Sequence, residues 1–343
     1  MKTLRLLCVG AAAYLIGTPA FAVTLDLFAI YADTGPVTLG GGSTIHSGAI
    51  GTGGNLSTGT NTNLNDVYAG GNATLGGGTD VSSGSTVHAG GNVATGTNMG
   101  LGGVDVIAGG TISIGGGSTL PASQTTGAAL PVLPTLPADG ILAVSTQAQG
   151  GNVTTGTNID VGILLPGQYG AYSLGGGGSI DLVAGDYHFS SIVTGTNYDF
   201  NYDLSGGAIN IFVDGNASIG GGTDWILTAG GDGSDIYWEL NGNFTTGTNV
   251  DLYGTIFTAS GGLLNIGDNE SIGGGSSLYG ALYSTGGTIT GTNLNIYHVL
   301  NDRFTTTSPV SEVPLPAALP LLASGLGAMG LIGWRKRRQR ATV

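Results

Sequence analysis

Apolar and polar positions alternate along this chain in runs too short for a helix. Val37-Thr38-Leu39, Asp66-Val67-Tyr68-Ala69, Thr86-Val87-His88-Ala89 and Val104-Asp105-Val106-Ile107-Ala108 each place β-branched or apolar residues at alternate positions, and glycine-rich corners separate them. Period-two alternation over so few residues predicts strands with one buried face. From about residue 163 the runs lengthen: Ser179 to Phe189, Ala208 to Asn216 and Ile236 to Leu240. A helical period is nowhere sustained.

Two short motifs punctuate the strands and alternate without a miss. Gly-Gly-Gly-Ser/Thr occurs at 40–43, 76–79, 115–118, 176–179, 220–223 and 273–276. Thr-Gly-Thr-Asn occurs at 58–61, 95–98, 155–158, 194–197, 246–249 and 290–293. A recurrence of this length predicts a solenoid in which each coil buries its face only against its neighbours. The expected fold is all-β: a parallel β-helix (β-solenoid) of about twelve coils, on the order of 60 Å long at the usual strand spacing. Its end strands would need caps, because bare edges recruit other chains.

Aligned, the two motifs fill one slot. Leu75-Gly76-Gly77-Gly78-Thr79-Asp80-Val81 matches Thr155-Gly156-Thr157-Asn158-Ile159-Asp160-Val161, and Ile219 to Trp225 matches Thr246 to Leu252. Asn55, Asn72, Asn92, Asn152, Asn216 and Asn243 each stand three residues ahead of it. Glycine and asparagine tolerate left-handed backbone angles, so these asparagines, with Gly59, Gly76, Gly96, Gly156, Gly195, Gly220, Gly247 and Gly291, are expected to build the corners. Stacked asparagines can form ladders, and aspartates beside the motif can bond corner amides. In this register the first threonine of Thr-Gly-Thr-Asn takes the place of Leu75 and Ile219 and faces inward.

Charge and the termini add addresses. All 21 acidic residues lie between Asp26 and Glu312, where Arg303 is the one basic residue, so the body carries −20. Such a body repels phosphates and anionic membranes, and nucleic acid is excluded as a partner. Lys2 and Arg5, the apolar run Leu6 to Ile16, and Ala20-Phe21-Ala22 have the three parts of a signal peptide over 1–22, with Val23 as the first mature residue. The single cysteine, Cys8, falls inside it, so disulfides and thiol chemistry drop out. Val313-Pro314-Leu315-Pro316-Ala317 precedes an apolar run over 317–334, long enough to span a bilayer, and then Arg335-Lys336-Arg337-Arg338. Between these addresses the chain divides into coils at 23–118, a Pro-rich insertion at 119–149, coils at 150–300 and a linker at 301–312. The insertion, with Pro121, Pro131, Pro134 and Pro137, is expected as a surface loop on the solenoid flank; a hinge between two sub-solenoids is the competing arrangement.

Three resemblances follow from these residues. The stretch 163–299, with Pro166-Gly167-Gln168-Tyr169 ahead of its strands, resembles β-solenoid domains of bacterial exported proteins. More distantly it is similar to the bacterial ice-binding solenoid family, whose last coils look like Ile236-Tyr237-Trp238-Glu239-Leu240, Gly254-Thr255-Ile256-Phe257 and Gly280-Ala281-Leu282-Tyr283. The long helix flanking the solenoid in that family has no clear counterpart in 119–149. The segment 313–340 resembles the PEP-CTERM sorting signal in its Val-Pro-Leu-Pro-Ala form. That resemblance implies a membrane-anchored precursor, secretion machinery and an exosortase-type transpeptidase as partners, cleavage near the Pro motif, and an association with exopolysaccharide or biofilm.

Little in the body suggests chemistry. His46, His88, His188 and His298 show no metal-ligand spacing, no Gly-x-Ser-x-Gly elbow occurs, and no Lys-Ser/Thr follows a glycine triplet. No cofactor, metal site or catalytic residue is expected. Asn-x-Ser/Thr at Asn55, Asn72, Asn152, Asn216 and Asn243 matches a glycosylation acceptor but is explained by the repeat. The nine-residue period of calcium-binding β-rolls is missing. The favoured function is a non-enzymatic exported surface or matrix protein, with exopolysaccharide or self-association as its contacts. The alternatives are ice binding through Thr-x-Thr rows, against which the inward register speaks, and a calcium-dependent or carbohydrate-binding adhesin suggested by the acidic body.

Overall fold

A computed structural model describes residues 23–136, 150–259, 262–266 and 276–299, all within one compact unit, Met1–Phe304. Every strand pairing among them is parallel, and apart from two single-turn 3-10 segments, Leu25–Leu27 and Gly233–Asp235, they contain no helix. The chain is a β-solenoid with three faces. The signal peptide, the linker and the sorting segment with its span at 317–334 lie outside the described residues. No described helix is long and apolar enough to cross a membrane.

The coils do not stack in chain order. The first coil, Phe28–Ala32, Val37–Leu39 and Thr44–Ile45, lies between the second and the last. On one side Ile30, Val37 and Thr44 pair with Ile50, Leu56 and Asn63. On the other they pair with Leu282, Ile289 and Asn295. From that splice the N-terminal coils climb to Ser123–Thr126 at one end. The C-terminal coils begin at the far end with Val153–Thr154 and return, coil by coil, to dock Ser277–Ser284 under Phe28–Ala32. Both halves therefore belong to one stack. The two motifs still alternate across the splice, because the last Thr-Gly-Thr-Asn corner falls beside the first glycine triplet.

The segment expected as an insertion begins later in space than in sequence. Ser123–Thr126 pairs in register with Asp105–Ala108 and adds a rung. Beyond it the chain runs back along the first face. His88 Nε2 lies 3.0 Å from the Ala129 carbonyl, the Val23 amide donates to Val132 at 3.1 Å, and the Tyr31 hydroxyl donates to the Pro134 carbonyl. Leu133 and Leu136 pack there with Phe28, Tyr31, Tyr237 and Phe257 as a second apolar cluster outside the solenoid. The remainder of the expected loop, 137–149, lies outside the described residues.

Coil length follows core volume. The N-terminal coils close around Val, Leu and Ala, whereas the C-terminal coils enclose Tyr198, Phe200, Tyr202, Trp225, Trp238 and Phe244. Trp225 stacks on Trp238 at 4.9 Å, and Phe200 meets both edge-on. Larger rings need a longer perimeter, which is why the spacing of the motifs grows in this half.

Candidate functional site

The corners come first, because they fix the faces. Leu39, Thr58 and Leu75 occupy successive rungs, so the common slot expected from the sequence is present. Asn61, Asn98, Asn158, Asn197, Asn249 and Asn293 all have positive φ, from 49° to 57°, matched by left-handed glycines 42, 78, 117, 177 and 222 on adjacent coils. The alternation has a steric cause. A Cβ on Gly78 would lie 2.5 Å from the Asn61 side-chain oxygen, and one on Gly77 3.1 Å from the Thr97 carbonyl. Each triplet therefore leaves the space that the side chains and backbone of its neighbours fill.

One predicted corner residue, Gly291, and the bounds of one glycine motif, 176–179, need correction. Thr290 pairs with Thr38 rather than Leu39, so the last motif sits one place early and Gly291 falls where Leu39 and Thr58 stand. The last coil has one residue fewer here, and Leu294 fills the inward space beside Gly291. In the run 175–178 the slot is taken by Gly175, whose Cβ would meet the Gly156 carbonyl at 2.2 Å. On the other described coils the slot holds Gly59, Gly76, Gly96, Gly156, Gly195, Gly220 and Gly247.

The asparagine ladder runs from side chain to backbone. Asn55, Asn72 and Asn92 accept from the amides of Asn72, Asn92 and Thr111, each at 2.8 Å. Asn152, Asn216 and Asn243 accept from Ala171, Asn243 and Leu263 at 2.8–2.9 Å. These residues pin one edge of the second face. The other edge is pinned from inside: Thr58, Thr95, Thr155 and Thr194 accept from the amides of Gly76, Gly115, Gly175 and Gly220 at 2.9–3.1 Å. Thr58, Thr194 and Thr246 are buried, as the register required. On these coils the first threonine of Thr-Gly-Thr-Asn is turned inward and takes no part in the outer surface; Thr290, shifted by one place, is the exception among the described coils.

Between the two edges lies a row that sequence reasoning missed. Each strand of the second face is about three residues long and points only its middle side chain outward. In spatial order those residues are Thr154, Ser173, Val193, Ser218, Thr245, then past Asn265 to Thr290, Thr38, Ser57, Thr74, Ala94 and Ser113. None carries a charge or an aromatic ring, and Thr38, Thr74, Ser113, Thr154, Ser173 and Ser218 are exposed. Ser57 donates to Thr38 at 3.3 Å. The signal was in the sequence: the Asn-x-Ser/Thr triplets at Asn55, Asn72, Asn152, Asn216 and Asn243 each name one ladder asparagine and one outward hydroxyl.

The other faces differ. The first is covered by the segment to residue 136. The third carries an aromatic stack, with His46 on Tyr297 at 4.2 Å and Tyr297, Tyr279 and Tyr253 following at 4.8 Å. Beside it run Asp160, Asp199, Asp224 and Asp251. Partial burial, then the charges of Asp251 and Asp199, push the Asp224 carboxyl up. The Ser179 hydroxyl and then the Gly162 amide hold Asp160 down. His188 stacks on Phe212 at 4.7 Å, on the first face. Among the described residues no three His, Cys, Asp or Glu side chains converge in a way that could hold a metal. Of the processing residues, Val23 is described; Ala20, Ala22, Val313 to Pro316 and Arg335 to Arg338 lie outside.

No family model and no curated protein matches this chain. Among solved structures it is similar to an ice-binding protein from an Antarctic biological consortium, at 15% identity over 86% of this chain and 96% of that one, with a TM-score of 0.35. It is also similar to an ice-binding protein from the Antarctic ascomycete Antarctomyces psychrotrophicus, at 14% identity over 80% and 96%, with a TM-score of 0.37. A third similarity is to an ice-binding protein from an Antarctic bacterium of the Flavobacteriaceae, at 14% identity over 79% and 96%, with a TM-score of 0.30.

Proposed function

We propose that the chain is a non-enzymatic binder of an extended, ordered and uncharged polar surface, that ice is this surface, and that the second face makes the contact. One observation carries the reading: the outward row of that face is made of small, mostly hydroxylated side chains, one per rung at about 4.8 Å intervals. Each hydroxyl contributes little alone. A lattice presents many partners at once, and a face held flat at both edges loses little conformational freedom on docking. Charged groups would hold liquid water, and the row has none. The acidic third face stays solvated and keeps the molecule soluble.

The test is thermal hysteresis and inhibition of ice recrystallisation by the purified protein. Thr74→Tyr or Ser218→Tyr, which raise a ring above the row, should abolish both effects, whereas Asn63→Tyr on the third face should leave them intact. Wild-type protein without either effect would sink the reading, and so would full activity in Thr74→Tyr.

The sequence of the tail supports a second reading, which concerns destination and is compatible with the first. The Val313-Pro314-Leu315-Pro316 motif, the apolar run and the Arg335 to Arg338 cluster fit an exported protein handled by secretion machinery and an exosortase-type transpeptidase, then retained with exopolysaccharide at the cell surface. Mass spectrometry of the mature C-terminus in fractionated cells tests it. An intact tail ending at Val343 in the membrane fraction would contradict processing.

A further inference from the structure

We propose that the two ends of the solenoid are complementary and that a second copy of this chain docks on them head to tail, continuing the stack. Inside the molecule, every described passage from a glycine-triplet coil to the Thr-Gly-Thr-Asn coil above it shows the same two close approaches. A Cβ on the middle glycine of the triplet would lie 2.5–3.1 Å from the threonine carbonyl above: Gly41 from Thr60, Gly77 from Thr97, Gly176 from Thr196, Gly221 from Thr248. A Cβ on the Thr-Gly-Thr-Asn glycine would lie 2.3–2.4 Å from the middle-glycine nitrogen below: Gly59 from Gly41, Gly96 from Gly77, Gly195 from Gly176, Gly247 from Gly221.

At the two ends each approach is half made. Gly116, the middle glycine of the last triplet, meets no described atom within 4 Å, and neither does Gly156, the glycine of the first Thr-Gly-Thr-Asn corner at the other end. The contact missing above Gly116 is a Thr-Gly-Thr-Asn corner, and the contact missing below Gly156 is a glycine triplet. Each end carries what the other lacks. Twelve is an even number of motifs, so a copy stacked on top continues the alternation in phase.

The helical step at the ends also matches. At the upper end the first face has one strand more, Ser123–Thr126, than the second, which stops at Ile112–Ser113. At the lower end the described coils begin on the second face, with Val153–Thr154, continue to Asp160–Leu164 on the third and reach the first only at Gly167. No described strand pairs on the far side of any of these edges. The core is open there too: Ile159 is 45% exposed at a position where Ser43, Thr62 and Thr79 are fully buried, and Leu120 is 74% exposed. Asn152 would find no ladder partner, because Thr111 stands at that level, so the corner and the strand edges carry the joint. An interface of this kind joins unlike surfaces and extends without closing.

The experiment uses the full chain with Cys8→Ser and two single-cysteine variants, Ser113→Cys and Thr154→Cys, which the joint would bring to adjacent rungs. Cross-linking should occur when the two variants are mixed and should be absent in either alone. Light scattering should show concentration-dependent multiples of the chain mass. Gly156→Ala adds a methyl that meets no described atom of the single molecule but would lie about 2.3 Å from a backbone nitrogen at the joint. It should give a monomer with unchanged circular dichroism and melting. Cross-linking within one variant, wild-type protein that stays monomeric at all concentrations, or a Gly156→Ala protein that assembles like wild type would each overturn the proposal.

Discussion

Gly59→Ala and Gly156→Ala place the same methyl in the same slot, yet should differ by several kcal/mol. In Gly59→Ala the new Cβ would stand 2.3 Å from the Gly41 nitrogen and 2.8 Å from the Gly40 carbonyl carbon, distances real Cβ atoms do not show. The coils must part by about 1 Å to restore ordinary contact. That corner is held by Gly59 N–H to the Leu39 carbonyl at 2.6 Å and Gly42 N–H to the Thr60 carbonyl at 3.0 Å. Stretching both loses about 2 kcal/mol, and overpacking adds about 1–3 kcal/mol. The stiffer unfolded chain returns about 0.5 kcal/mol, leaving a net loss of about 2.5–4.5 kcal/mol. In Gly156→Ala the clash is absent and the unfolded-state effect remains, so stability should stay level or rise by up to about 0.5 kcal/mol. Urea unfolding followed by circular dichroism, at dilutions where the chain is monomeric, measures both. A Gly59→Ala loss under 1 kcal/mol, or equal losses in the two variants, would refute the steric account of the repeat.

Asn61→Ala should lose about 1–2 kcal/mol, because alanine resists the φ of 56° held there, while Asn61→Gly should be nearly neutral by the same urea assay. Burial pushes Tyr187 up to about 12, and Tyr31, Tyr198 and Tyr283 higher still. Tyrosines in the unfolded chain ionise near pH 10, so the stability these groups confer is complete below that and is lost as pH climbs through about 12. Tyrosinate absorbance and circular dichroism should therefore change together well above pH 10; these tyrosines ionising near 10 in a folded chain would contradict it. Asp224 carries a raised carboxyl beside Asp199 and Asp251, so its charge opposes folding at neutral pH and the strain lifts on protonation. Asp224→Asn should raise the melting temperature at low salt by the equivalent of a few tenths of a kcal/mol, and the gain should fade with added salt; a gain independent of salt would exclude repulsion as its cause.

The rungs, their register and the inward threonines were legible because each depends on a few neighbouring residues. Leu75 and Thr155 share a slot in the sequence, and their coils share it in space. The splice was not legible. Nothing local in Phe28–Ala32 distinguishes a first coil that pairs on both sides from one that caps an end, since a wholly apolar, buried strand suits either place. A global clue existed, because Tyr31, Tyr283 and Phe257 are large apolar residues at outward positions of the first face and need a cover, which residues up to Leu136 provide. Gly291 was misplaced for a different reason. Its motif is intact, but the strand before it is one residue short, and a motif cannot report a deletion outside itself.

The hydroxyl row shows how one constraint hides another. Asn55 and Ser57, or Asn216 and Ser218, look like a single triplet serving a single purpose, yet their side chains leave the strand for different partners: the asparagine binds the amide of the next coil, and the hydroxyl faces solvent. Folding alone explains the asparagine, the glycines and the inward threonines. It does not explain why the outward position carries so few bulky groups, since the third face accepts tyrosines, histidine and aspartates at outward places on its own strands. A second requirement must act on the second face alone. Contact with a flat surface supplies one, and head-to-tail docking would set Ser113 beside Thr154 and lengthen the same row without interrupting it.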